Sequence, residues 1–316
     1  MPLFKPDAAQ TLAYAAVVLF VGLFLKRKIA IIDRLNIPAP VVGGLLAAVL
    51  LLLLRRGLAS FQFDNTLRPI LEIAFFTTIG MNASLGLLKK GGVQVVLFLA
   101  MSTVLCFVQN FLGIAIASLF GVNVLVGVMV GSVTLVGGPA TGSAFASEFE
   151  KAGVGGALSL AIAAATFGIV CGGLLGGPVG TWIIERRLRR SPQATKSGLS
   201  AEALTAGEVS PQVTLDPDRE DTPLLRNLLV LSIAMGLGAV VSAYIRGQGI
   251  TLPAYIGAMM VASVLRNLDD WRGWLRISTP LMDLIGSISL LVYHSLTLLN
   301  LKLWALTNLA APLVGI

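Results

Sequence analysis

Residues 93–120, VQVVLFLAMSTVLCFVQNFLGIAIASLF, contain no charged side chain. An apolar run of about 18 residues or more reads as a membrane-crossing helix, because a helix satisfies every backbone group within itself. Comparable runs recur at about 10–25, 38–54, 69–88, 157–184, 226–244, 252–265 and 281–299, with a final apolar piece at 303–316. A transmembrane β-barrel would instead alternate polar and apolar residues along each strand, and these runs do not. The chain is 56% hydrophobic and only 12% charged, whereas soluble domains carry about 25% charged residues. The first apolar run ends in KRK and not in a small-residue cleavage site, so it is expected to stay in the membrane.

A formal net charge of +7 raises the question of nucleic acid. The basic residues, however, sit at the ends of apolar runs, as KRK at 26–28, KK at 89–90 and RRLRR at 186–190. Such clusters set topology by staying on the cytoplasmic side. They predict an outside N-terminus, no nucleic-acid partner, and Arg55, Arg56 and Arg68 as the main basic exceptions outside. Residues 191–223 change character: they lack aromatic residues and cluster Asp216, Asp218, Glu220 and Asp221 near prolines. That composition predicts a flexible cytoplasmic linker. Cys106 and Cys171 both lie in apolar spans and read as small buried hydrophobes. The sequence has no metal-ligand cluster, nucleophile elbow or paired intramembrane carboxylates, so an enzyme is not expected.

Between two of the spans lies GSVTLVGGPATGSAF, residues 131–145. Unpaired backbone in hydrocarbon costs several kcal/mol per group, so a broken segment survives only inside protein or beside a water-filled cavity. The expectation is a re-entrant hairpin near 124–146 with its tip at Gly137, Gly138 and Pro139 and a half-helix starting near Ala140–Thr141. Freed carbonyls and hydroxyls suit a hard cation such as Na⁺. The N-terminal end of the half-helix suits a carboxylate. Scattered glycines, such as GGLLGG at 172–177, read instead as close helix packing. Asn82 stands in an apolar span with no charged neighbour before Lys89, and its amide needs a partner or a ligand. Glu72 and Asp283 follow Pro69 and Pro280 near span starts, where the helix dipole favours them. His294 reads as a helix contact.

The two sides of the linker resemble each other. IPAPVVGGLLAAVL at 37–50 aligns without gaps with LPAYIGAMMVASVL at 252–265, and Pro69 with Glu72 matches Pro280 with Asp283 in the same order. The first unit makes five crossings, so a second copy enters from the opposite side, as in many secondary transporters. The expected units are 1–190, the linker 191–223, and 224–316 as a partial second repeat, the counterpart of 131–145 falling beyond Ile316.

GSVTLVGGPATGSAF resembles the signature of the bacterial sodium/glutamate symporters. So do IPAPVVGGLL at 37–46, FFTTIGMNASL at 75–85, QNFLGIAIASLFG at 109–121 and ATFGIVCGGLLGGPV at 165–179, in order along the first unit. The resemblance implies Na⁺-coupled uptake of L-glutamate across the bacterial inner membrane. It also implies an all-α polytopic protein of two inverted repeats with re-entrant hairpins, dimeric among lipids, working by elevator-like alternating access, without a cofactor and with Na⁺ as coupling ion. It points to Ser132, Thr134, Gly137, Gly138, Pro139, Ala140, Thr141, Gly142 and Ser143 for substrate. Thr77, Thr78 and Asn82, with backbone at Gly137 and Gly138, are expected to bind Na⁺, and the block Gln109-Asn110 belongs to the same pattern. The alternatives are a carrier of another carboxylate, such as citrate or a dicarboxylate, and a truncated membrane scaffold that does not transport.

Overall fold

The computed structural model describes residues 3–34, 37–55, 59–190 and 222–300; the linker expected at 191–223 and the apolar piece at 303–316 fall almost wholly outside the described residues. Within them the chain is helical: α1 Ala8–Lys28, α2 Ala30–Arg34, α3 Ala39–Arg55, α4 Leu67–Asn82, α5 Leu85–Leu119, α6 Val124–Val128, a π-helical turn Met129–Val133, α7 Gly138–Lys151, α8 Ala157–Arg190, α9 Pro223–Gly247, α10 Ala254–Arg272 and α11 Thr279–Leu299. A short parallel pairing of β1 Leu3–Phe4 with β2 Ser60–Phe61 ties the N-terminus to the loop before α4.

Local chemistry accounts for the ends. Asp7 and Gln10 form a reciprocal capping box at the start of α1, and Lys26, Arg27 and Lys28 occupy its last turn, where the dipole favours cations. Pro223 opens α9 behind a Thr222 cap, and α10 closes on Gly273 in the left-handed region, as helix C-termini commonly do. The span anticipated at 69–88 is interrupted: α4 stops at Asn82, and Ser84 caps α5 by accepting from the Gly86 N–H. The polar end of α10 holds this turn. Asn267 donates to Ala83 O at 3.0 Å and accepts the Leu85 N–H at 2.8 Å, and Ser84 donates to Asp270 at 2.6 Å.

Among the described residues, five helices, within α1, α5, α8, α9 and α11, are long and apolar enough to cross a membrane. The helices α4 and α10 are shorter or more polar, and they lie against each other and against α9 and α11. Each buries one face against protein, with Glu72, Thr77, Thr78 and Met81 of α4 and Gly257, Ala258 and Ala262 of α10 buried. The protein is an all-α polytopic membrane protein.

The helices fall into two groups. One is α5, α6, the π turn, α7 and α8, packed around Met129, Ala146, Val154, Ala157 and Ala161. The other joins α1, α3 and α4 to α9, α10 and α11, with cores around Met81, Val230, Leu231 and Met282 and around Ala15, Val18, Leu296 and Leu299. In that second group α1 packs on α3 as α9 packs on α10. Similarly, α4 lies against α10 as α11 lies against α3, and α1 touches α11 as α9 touches α4. Exchanging the first three helices for the last three leaves these main pairings unchanged.

The correspondence reaches individual residues. At the α1–α3 crossing a Cβ on Gly22 or Gly43 would run into the facing backbone, and at the α9–α10 crossing Gly238 meets the backbone of Ala258 in the same way. Ala258 occupies the position of Gly43 in the aligned segments. Helices α4 and α11 run antiparallel and are clasped at both ends. The Tyr293 hydroxyl donates to Glu72 at 2.8 Å, and the Asn82 amide donates to Asp283 at 2.6 Å. Tyr293 stands as far beyond Pro280 as Asn82 stands beyond Pro69, so the two bonds are equivalent under the same exchange. The helix-dipole account of Glu72 and Asp283 is therefore corrected: neither lies in a first turn, where that effect is confined, and each carboxylate instead accepts from the facing helix.

Gly43→Ala is expected to destabilise the protein by about 1–3 kcal/mol, because overpacking forces α1 and α3 apart. Gly236→Ala, in α9 with open space around it, should be neutral or slightly stabilising. Thermal unfolding in detergent compares the two, and equal melting would contradict the close crossing.

Candidate functional site

The interruption anticipated in residues 124–146 is present, and its geometry follows from its glycines. After α6 the backbone opens at Gly131, whose ψ of −122° is not helical. Gly113 and Gly127 let α5 and α6 approach until a Cβ on either would meet the other's backbone. That approach brings Asn110 to the break, where its Oδ1 accepts the Ser132 N–H at 3.3 Å. Asn110 thus takes a donor that the opened helix has released. Farther on, the N–H groups of Val136 and Gly137 both reach Ser132 O, and Gly138 takes a φ of +71°, open to glycine without penalty. The helix α7 then starts at Gly138 with Pro139 in its first turn, two residues before the expected start. Proline is favoured there because its missing N–H would be unpaired anyway.

The residues of this segment divide by environment. Thr134 is buried and donates to Val130 O at 3.1 Å, while its methyl and Ala161 of α8 pack closely on Gly142. These two positions hold α7 against α8. Gly137 and Gly138 are half-buried and Pro139 is buried at the turn, and Ser132 is half-buried beside Asn110. The side chains of Ala140 and Ser143 lie outside the described residues. Thr141 faces the other helix group, with its hydroxyl 3.0 Å from the Tyr255 hydroxyl of α10. Tyr255 in turn stacks on Phe76 of α4, ring centroids 3.9 Å apart.

The expected Na⁺ residues of α4 follow Phe76 along the same helix. Thr77 and Thr78 are buried and donate to Ile73 O and Phe75 O, at 2.6 and 2.7 Å. Thr78 packs on Gly286 of α11, one turn from the Asn82–Asp283 bond. The structure therefore groups Thr78 and Asn82 with Asp283, and Gly137 and Gly138 with the α5–α8 group. Among the described residues, two buried acceptor atoms have no protein partner, Asn82 Oδ1 and Gln109 Oε1. Both residues belong to blocks singled out in the sequence. A buried amide oxygen without a donor is costly, and hard cations take such oxygens.

Where the two groups meet, a cavity of about 690 Å³ opens between the start of α4, the second half of α7 and the start of α10. Tyr255 lines it, as do Arg68, Glu72, Glu148 and Arg246. Arg68 was legible only as an exception to the basic-inside pattern. Tyr255 had a fainter signal, since it replaces Pro40 in the otherwise similar repeat segments. In the loop before α4, Asp64 accepts from the hydroxyl and the backbone N–H of Thr66, which holds its carboxyl below the usual value.

Asn110→Ala removes the acceptor at the break and leaves the Ser132 N–H unpaired, a loss of about 1–3 kcal/mol. Thermal unfolding in detergent should fall accordingly, whereas Ser118→Ala, on the exposed face of α5, should change it little.

A hairpin-like interruption sheltered between apolar helices, beside a cavity with charged walls, is an arrangement for moving a small polar solute. The comparisons agree. The family model of the sodium/glutamate symporter matches residues 4–316. A sodium/glutamate symporter of Escherichia coli K12 is 35% identical over 320 residues, covering 99% of this chain and 77% of the relative. One of Haemophilus influenzae is 33% identical over 304 residues, covering 95% of this chain and 74% of the relative. No solved structure matches. With its broken helix, its run of spans and its likeness extending over nearly every residue, the chain belongs to the sodium/glutamate symporter family.

Proposed function

We infer that this chain takes up L-glutamate coupled to Na⁺, as a multi-pass protein of the bacterial inner membrane, by alternating access. No bond is made or broken in this work; the protein is a carrier and not an enzyme. The observation that carries the reading is the interrupted segment 129–141, opened at Gly131 and Gly138 and hydrogen-bonded across the group boundary through Thr141. Irregular backbone at membrane depth is tolerated where it lines a cavity, and this segment supplies what a carboxylate and a hard cation need. The first N–H groups of α7 face anions favourably. Carbonyls around Gly137 and Gly138, with Asn82 Oδ1 and the hydroxyls of Thr77 and Thr78, are the proposed Na⁺ ligands, completed as the two helix groups approach. Ser132, Thr134, Gly137 to Ser143 and the turn between them form the proposed substrate region.

The segment is proposed to be re-entrant, entering and leaving on the outer side. The exchange symmetry of α1, α3 and α4 with α9, α10 and α11 supports two copies of one unit inserted in opposite senses. Domains are then 1–190, a cytoplasmic linker at 191–223, and 224–316. A homodimer among membrane lipids is proposed from the family resemblance.

Proteoliposomes with an inward Na⁺ gradient should accumulate labelled glutamate, and uptake should collapse in choline or K⁺. Citrate or a dicarboxylate competing better than unlabelled glutamate would move the substrate assignment. Thr141→Val should weaken apparent glutamate affinity roughly tenfold, which is about 1.4 kcal/mol, with Na⁺ dependence retained. Unchanged affinity would remove Thr141 from the site.

A further inference from the structure

Five observations converge on the cavity between the two helix groups. First, it is large enough for a small amino acid: about 690 Å³, within the usual range of ligand pockets. Second, its lining comes from the start of α4, the second half of α7 and the α9–α10 turn. With the basic clusters at 26–28 and 186–190 inside, all three lie on the outer side. Third, its two arginines stand where the basic-inside pattern disfavours them. Fourth, its acidic groups already have partners. Glu72 accepts from Tyr293 and faces Arg68, and Glu148 is paired with Lys151 at 2.9 Å. Fifth, Arg246 is exposed at the end of α9 and makes no ion pair among the described residues.

We propose that this cavity is an outer vestibule that captures an acidic amino acid through Arg246, and passes it under Tyr255 to the interrupted segment. The chemistry selects net charge. Glutamate carries one net negative charge at neutral pH, and a single unpaired guanidinium at a cavity mouth attracts it over the uncharged glutamine. Such a charge chiefly raises capture. Arg68, beside Glu72 and the Tyr293 hydroxyl, adds to the positive field of the inner wall. Tyr255 closes the floor: its hydroxyl meets Thr141 and its ring covers Phe76.

The proposal rests on the glutamate reading above, and two experiments separate them. Arg246→Gln should raise the glutamate KM about fivefold with little change in maximal rate, and Arg246→Lys should restore it. An unchanged KM, or no rescue by lysine, overturns the role of Arg246. In a Cys106→Ser, Cys171→Ser background, Ser147→Cys places a thiol on the cavity wall. A membrane-impermeant thiol reagent applied outside should label it, more slowly with glutamate present and not with glutamine. Labelling from the cytoplasmic side alone, or labelling that glutamate leaves unchanged, overturns the vestibule. Failure of the glutamate reading would show separately, as absent Na⁺-driven uptake by the unsubstituted protein.

Discussion

The antiparallel clasp between α4 and α11 joins what lies before the linker to what lies after it. Two hydrogen bonds to carboxylates, Tyr293 to Glu72 and Asn82 to Asp283, sit at opposite ends of the helix pair. A buried carboxylate costs far more than it returns unless it is hydrogen-bonded, so the bond to Glu72 both rewards the correct register and penalises a slipped one, while the bond to the exposed Asp283 marks the other end of the pair. A one-turn slide would strand Glu72, which is 8% exposed, without its partner. With α4 and α11 fixed, α10 is set against α4, and Tyr255 is delivered to the face that meets Thr141. The cavity and its contact with the interrupted segment are thus consequences of a clasp some distance away.

Much of this was legible in the residues. The long spans appear because an apolar run of that length has one stable solution in lipid. The interruption at 131–138 appears because Gly131, Gly137, Gly138 and Pro139 have a clear backbone meaning. The matching helix pairings on the two sides of the linker were foreshadowed by Pro69 with Glu72 and Pro280 with Asp283. The roles of those carboxylates were not, because a proline-acid pair at a helix start has a sufficient local explanation, while Tyr293 and Asn82 are more than two hundred residues from their partners. The end of α4 at Asn82 was missed for the same reason: the turn at Ala83 and Ser84 is held by Asn267 and Asp270, from the other side of the linker. Tyr255 and Arg246 became site candidates only when α10 and α7 were placed together. Hydropathy records which side chains avoid water and says nothing of which helices meet.

The division into two groups bears on how a carrier of this kind works. Described contacts between the groups are fewer than those within them and include Thr141 with Tyr255, Gly173 of α8 near Val41 and Pro38 of α3, and Ile169 and Val170 of α8 against the cluster around Val41 and Leu298. Within each group, by contrast, helices cross at glycines too close for a Cβ, at Gly22 with Gly43 and at Gly113 with Gly127. Tight packing inside and sparse contact between favour motion of one group as a body past the other. The interrupted segment belongs to one group and the cavity wall to both, so under the proposed alternating access such motion would change which side reaches the segment.

Coupling is the central claim, and it has a thermodynamic signature that requires no transport. If Na⁺ and glutamate favour the same state, each raises the other's affinity by one common factor. Calorimetric titration of the detergent-solubilised chain, glutamate at increasing Na⁺ and then Na⁺ at increasing glutamate, measures both factors. The account predicts two equal factors, each well above one. Glutamate affinity that does not change with Na⁺ would contradict it.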